Sequence, residues 1–274
     1  GTTVLTDNLF RGNGTTGLGG AVLAVDADVV LYDTTFEANG PEPVWSGGPH
    51  LTGAGGAITT FNGTLFGQNA VFRNNQAIVG GGAIAGYGDV ALVGAELMGN
   101  HVLTSDAEGA ELGGHALLQG DAVLQLVDVT IGGFPPLTEG ACVRAADTEF
   151  VTLDQVVVED CPVRCVHLDR VGRTLLDDLT AEGCVDPDGR GGAALLSDGT
   201  PLDGSVDTSQ LLIVNSHFAG ALAAGPGGAL RATAGAVTSV NNRYTDNLAT
   251  TGGGLHITAP VFTTCADQVQ DNVA

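Results

Sequence analysis

The chain has 274 residues, 31 of them acidic and 9 basic, for a formal net charge of −22. A surface of that sign repels nucleic acid and anionic lipid head groups, so neither is a partner class. Hydrophobic residues reach 43%, with 5% aromatics and 43 glycines; there is no apolar run of about eighteen residues and no three-residue glycine period, which excludes a membrane-spanning helix and a collagen-like chain.

The chain begins at Gly1 without a methionine or a signal-like segment, and reads as a piece of a longer protein. Its first recognisable unit is Phe10-x-x-Asn13. A small apolar opening, Ala21-Val22-Leu23-Ala24, then follows a glycine pair, and Phe36-x-x-Asn39 comes next. The two units alternate to the end of the chain. Further openings are Ala57-Ile58-Thr59-Thr60, Ala83-Ile84-Ala85-Gly86, His115-Ala116-Leu117-Leu118, Cys142-Val143-Arg144-Ala145, Cys165-Val166-His167-Leu168, Ala193-Ala194-Leu195-Leu196, Ala229-Leu230-Arg231-Ala232 and Gly254-Leu255-His256-Ile257. The second unit recurs as Phe72-x-x-Asn75, Leu97-x-x-Asn100, Tyr244-x-x-Asn247 and Val269-x-x-Asn272, with degenerate forms at Ile131, Val158, Ala181 and Phe218.

In each opening the second residue is apolar and the fourth apolar or small, Thr60 excepted, whereas the third varies widely. That alternation marks a short strand with one buried face. It puts Arg144, His167, Arg231 and His256 on the outer face, because burying them would carry a large desolvation penalty. A repeat of this kind is a coil: each circuit stacks on the last at about 4.8 Å, so like residues form ladders. The expected architecture is all-β, a single-stranded right-handed parallel β-helix of about ten rungs and about 50 Å. It forms one domain over 1–274, with loop excursions at 40–54, 103–112 and 198–208. The glycine pairs and the Asn of Phe-x-x-Asn are expected at the corners.

The alternation of Gly55-Gly56-Ala57-Ile58 with Phe72 to Asn75, of Gly81-Gly82-Ala83-Ile84 with Leu97 to Asn100, and of Gly228-Ala229-Leu230 with Tyr244 to Asn247 resembles the repeat of chlamydial polymorphic membrane proteins. More broadly it is similar to the passenger repeats of bacterial autotransporter-type surface proteins. The likeness covers most of the chain and weakens between about residues 113 and 227. It implies adhesion and display at the outer membrane or beyond it, and carries over no catalytic residue.

Cys142 and Cys165 occupy one position in adjacent circuits, and Cys161 and Cys184 both stand where the Asn of the second unit would be. Stacked residues lie near 4.8 Å, within bridging range, so Cys142–Cys165 and Cys161–Cys184 are the expected disulfides. Cys161–Cys165 is the competing pairing, and buried free thiols or a metal site are the other readings. Four in-register cysteines favour an oxidising compartment. Cys265 is expected to be a buried thiol.

Candidate sites are few. Arg144 with His167, and Arg231 with His256, form cationic ladders able to meet an acidic sugar or to stand as plain exposed side chains. Asp154 and Asp177 are stacked equivalents, whereas Asp177 and Asp178 as strand neighbours would point apart. In Val185–Gly192, Asp186 and Asp188 open an Asp-x-Asp-Gly fragment like the start of a calcium loop, and Asp198, Asp203 and Asp207 lie in the inserted segment. Calcium is thus the one cofactor candidate. Trp45, the only tryptophan, would stack on a sugar, anchor a partner or staple its own loop. His50, His101, His115 and His217 show no ligand spacing.

The first functional expectation is a non-catalytic secreted or cell-surface protein of a bacterium, an adhesin or stalk whose partners are glycans or proteins of a host or neighbouring cell. The alternative is a polysaccharide lyase or hydrolase, which needs a base and charge neutralisation or converging carboxylates. A flat ice- or crystal-binding face would need a regular Thr ladder, and the Thr residues are scattered. Open coil ends would allow end-to-end self-association.

Overall fold

The computed structural model describes residues 1–15, 17–41, 55–78, 80–102, 122–133, 141–186, 189–199 and 208–274, and the backbone alone of 113–119. Among them there are strands and no helix. Three long sheets hold nearly all the strands. The first has ten, from Thr2–Thr6 to Val261–Cys265; the second has ten, from Leu9–Arg11 to Gln268–Gln270; the third has nine, from Val22–Val25 to Leu255–Thr258. Pairing is parallel throughout, and each strand pairs with its equivalents one circuit before and after. The chain visits the first sheet, the second, a short strand such as Gln76–Ala77, and then the third. This is β-helix-like stacking, and one continuous apolar core draws on all three sheets.

The expected ladders are present. Phe10, Phe36, Phe72, Leu97 and Ile131 pair in register, and Phe36, Phe72 and Leu97 are fully buried. The rings of Phe10 and Phe36 stack at 4.9 Å, those of Phe36 and Phe72 at 5.1 Å, and those of Phe218 and Tyr244 at 5.2 Å, all nearly parallel. Offset ring pairs add to the burial term. The buried Tyr244 hydroxyl pairs with Ser239 Oγ at 3.0 Å, and burial pushes its pKa well above the usual phenol value.

The asparagine column is a second ladder. Asn39 Oδ1 accepts from Asn13 Nδ2 at 2.8 Å, Asn75 Oδ1 from Asn39 Nδ2 at 2.9 Å, and Asn100 Oδ1 from Asn75 Nδ2 at 2.8 Å. The Asn39, Asn75 and Asn100 amides also serve the backbone: Asn75 Nδ2 donates to Phe36 O, for example, and Asn75 Oδ1 accepts from Asn39 N. Buried backbone groups at the bend are thereby satisfied. Asn39, Asn75 and Asn100 are buried and are not the corner residues themselves. The left-handed residue is the one before: Gly12, Ala38, Asn74 and Gly99.

A second column of left-handed residues turns the chain from the first sheet into the second. It includes Asp33, Asn69, Asp128, Asp178 and Asn215, with φ between +48° and +55°. Asp and Asn are the non-glycine residues that tolerate this region most readily. Among the described residues nine aspartates hold positive φ, so part of the protein's negative charge follows from its corner geometry. Asp178 is one of them and is therefore a corner residue, not a strand neighbour of Asp177.

The sulfur pairing differs from the expectation. The bridges are Cys142–Cys161, with Cα atoms 6.5 Å apart, and Cys165–Cys184, at 5.5 Å. In-register parallel strands keep stacked Cβ atoms near 4.8 Å apart, longer than the roughly 3.8 Å of a bridged pair. At the entry to the third sheet, moreover, two consecutive side chains turn inward. Cys142 with Val143, and Cys165 with Val166, all lie in the core. At equivalent entries two successive amides share one acceptor, as Ala57 N and Ile58 N share Ala83 O, the mark of a bulge. Cys142 and Cys165 thus face across the interior toward Cys161 and Cys184, and each bridge ties two walls of the coil together. Cys265 is also corrected: it is exposed, in register with Val240 on an outward row of the last strand of the first sheet.

Candidate functional site: a charged strip on the third sheet

The outward row of the third sheet runs in register through Arg144, His167, Leu196, Arg231 and His256. The sequence-predicted pairs are therefore neighbours, but Leu196 separates them. Their exposure is not as expected. His167 is 2% exposed and the Arg144 side chain 13%. Leu196, Ala85 and Thr59 of the same row are also buried, so this outer face is covered over much of its length. Arg231 and His256 are half-buried, and the Arg231 guanidinium donates to the backbone carbonyl of Arg190.

Beside this row the strands end in a corner where Asp147 and Arg170 both adopt left-handed φ, at +54° and +53°. Arg170 reaches back one circuit and grips Asp147 with two bonds, Nε to Oδ1 at 2.6 Å and Nη2 to Oδ2 at 2.9 Å. Its Nη1 donates to Asp169 Oδ1 at 2.7 Å, and Asp169 Oδ2 lies 3.4 Å from Arg144 Nη2. Arg190 and Asp198 approach to 3.8 Å nearby. Bidentate guanidinium–carboxylate geometry is the strong form of this contact. The strip is a set of alternating charges that neutralise one another.

The hydrogen bond from Arg170 holds the Asp147 carboxyl below its ordinary value of 3.8, against a smaller opposing effect of burial and with added attraction from Arg170 and Arg144. A carboxyl depressed in the fold stabilises it above the unfolded pKa, and that contribution disappears as pH falls through the folded value. Arg170→Met is therefore expected to raise the Asp147 midpoint in a carbonyl NMR titration. The stability difference between the two proteins should be present at neutral pH and vanish in acid. A midpoint unchanged by the substitution would contradict the assignment.

Arg170 was not singled out by sequence reasoning. The available signal was its register: it stacks on Asp147 in a corner column that also includes Asp26 and Asn62. A second missed group lies on the second sheet, where His217 Nδ1 is 3.5 Å from Glu182 Oε1 and Nε2 is 3.3 Å from Thr245 Oγ1.

Asp186 does not form an open calcium ligand. It is buried, its Oδ1 accepts from Arg164 Nη2 at 2.6 Å, and its Oδ2 accepts from Gly191 N at 2.7 Å and Gly225 N at 3.2 Å. Asp188, Asp203, Asp207 and Trp45 lie outside the described residues, as do the excursion 103–112 and most of those at 40–54 and 198–208. Among the described residues no three His, Cys, Asp or Glu side chains gather as a metal site. Asp154 and Asp177 are stacked in register on the first sheet, where Asp177 Oδ1 accepts from Asn215 Nδ2 at 3.0 Å. Among the described residues no helix is long and apolar enough to cross a membrane. No family model, curated protein or solved structure matches the chain.

Proposed function

We propose that the protein is a non-catalytic, right-handed, closed parallel β-helix of about ten rungs, secreted or displayed on a bacterial surface, where it acts as an adhesin or stalk. The reading draws on the resemblance of its repeats to polymorphic membrane proteins and autotransporter passengers. Two disulfides support an oxidising, extracellular setting. The observation that carries the non-catalytic part is the self-neutralised strip: Arg144 and Arg170 are engaged by Asp169 and Asp147. Cations held this way are poorly placed to neutralise a uronate.

The competing reading is a polysaccharide-active enzyme, favoured by the half-exposed Arg231–His256 pair. The test is incubation of the protein with acidic and neutral polysaccharides, following product by reducing-end and unsaturated-uronate assays, beside a binding assay on the same panel and on intact cells. Binding without turnover is expected. Turnover at ordinary enzymatic rates would overturn the proposal, and its loss in Arg231→Ala or His256→Ala would assign the site.

A further inference from the structure

The outer face of the first sheet has an uncharged centre. In a protein of net charge −22, its central outward row runs through ten strands, from Val4 to Thr263, without a single charged residue. Val30, Phe66, Leu175 and Leu212 are its large members, and Tyr32 and Leu212 are each 37% exposed. At one side of this row stand Asp154 and Asp177, and at the other Asp28, Asp89 and Arg173. The strand Arg173–Asp177 carries both signs on one face, with Leu175 between them.

That arrangement is self-complementary. A two-fold axis along the stack, lying in the plane of contact, sets each strand against its own copy running the opposite way. Leu175 then meets Leu175, and Arg173 meets Asp177 of the other copy, twice. Asp154 meets Phe150, Asp28 meets Tyr32 and Asp89 meets Val93, so no like charges oppose each other. An isologous interface has this form. Ten strands at about 4.8 Å by four residues at about 3.3 Å give roughly 600 Å² per copy, somewhat below the ~800 Å² per partner of a standard interface. Elsewhere the two negative surfaces repel, so the uncharged central row is where two copies approach most easily.

We propose that this face is a self-association surface, and that its partner is a second copy of this chain lying alongside in the same direction, not end to end. It is independent of whether the protein is displayed on a cell.

The test is sedimentation velocity on the full chain in a Cys265→Ser background, so that no intermolecular disulfide at the edge of the face mimics association. A dimer is expected at about 1–100 μM, tightening as salt rises to about 0.5 M and screens the overall repulsion. Leu212→Glu should weaken it by about tenfold or more, since it buries a charge at the contact. Arg173→Asp and Asp177→Arg should each weaken it about tenfold, and the two together should restore it to within about threefold, because the pair re-forms with its signs exchanged. Far-UV circular dichroism melts of all variants should match wild type. A protein that stays monomeric throughout this range overturns the proposal. So does a dimer indifferent to Leu212→Glu and to both charge reversals. A monomer that binds a neutral polysaccharide, and loses it in Leu212→Glu, would give the face to a glycan instead.

Discussion

Replacing Cys142, Cys161, Cys165 and Cys184 together with alanine is expected to lower the stability of the middle of the coil by about 6 kcal/mol, the largest effect anticipated here. Each bridge spans 19 residues of sequence, for which the chain-entropy relation gives about 3 kcal/mol. The two loops follow one another without interlocking, so their contributions should add. Alanine is the right replacement because the same columns hold it elsewhere: Ala57, Ala83 and Ala229 at the entry to the third sheet, and Ala221 at the position of Cys184. The loss is therefore the cross-link and its packing, not a new steric conflict.

A stacked chain contacts only its neighbouring circuits, so this loss should stay local. Amide hydrogen exchange should rise over residues 141–186 and remain slow in the flanking circuits. Non-reducing peptide mapping of the wild type checks the premise, and should return Cys142–Cys161 and Cys165–Cys184 with Cys265 as the one alkylated thiol. Recovery of Cys142–Cys165, or unchanged exchange in the variant, would refute the account.

These bridges also show where the sequence was legible and where it was not. The Phe and Asn ladders could be read because a ladder needs only that like residues recur, and recurrence is visible in a string of letters. Phe36, Phe72 and Leu97 accordingly share one interior column. Which way a residue points at an irregular strand entry is not visible in that way. The bulge that turns Cys142 and Cys165 inward beside Val143 and Val166 breaks the alternation on which the ladder pairing relied. The same alternation placed Arg144 and His167 correctly on the outer face, yet could not report that this face is covered. Arg170 escapes the repeat pattern because it sits at a corner outside both repeating units, where it stacks on Asp147. The column thins from Phe72 through Leu97, Ile131 and Val158 to Ala181 before Phe218 restores it. The two disulfides occupy this narrow part, so sulfur stands where aromatic volume and the Asn ladder are both missing.

Asp186→Ala is the second large effect, expected to cost about 3–5 kcal/mol. The cause lies in the stretch from Cys161 to Cys165. Other circuits enter the third sheet through small residues, such as Gly56, Gly82 and Ala193. Here Val163 leads directly into Arg164, which pairs in register with Ala141. With a guanidinium at this position, the coil contains a cation whose side chain is 2% exposed, and Asp186, on an inward position otherwise held by Ala77, Val102 and Ala223, supplies the counter-charge at 2.6 Å. The same carboxylate holds Gly191 N and Gly225 N, which fix the turns of its own circuit and the next. Removing it takes the 2.6 Å counter-charge from a buried guanidinium and leaves two amides without this acceptor, and each loss is expensive in a dry interior. Asp186→Asn should be milder, because an amide oxygen still serves the two glycines. Arg164→Met with Asp186→Leu should recover much of the loss, since replacing both partners of a buried pair by apolar groups is often close to neutral. Urea unfolding of the wild type, Arg164→Met, Asp186→Leu and the double variant forms a double-mutant cycle with an expected coupling of about 2 kcal/mol or more. Additive single effects would mean that Arg164 and Asp186 act separately, and that the turn amides, not the ion pair, hold this part of the coil together.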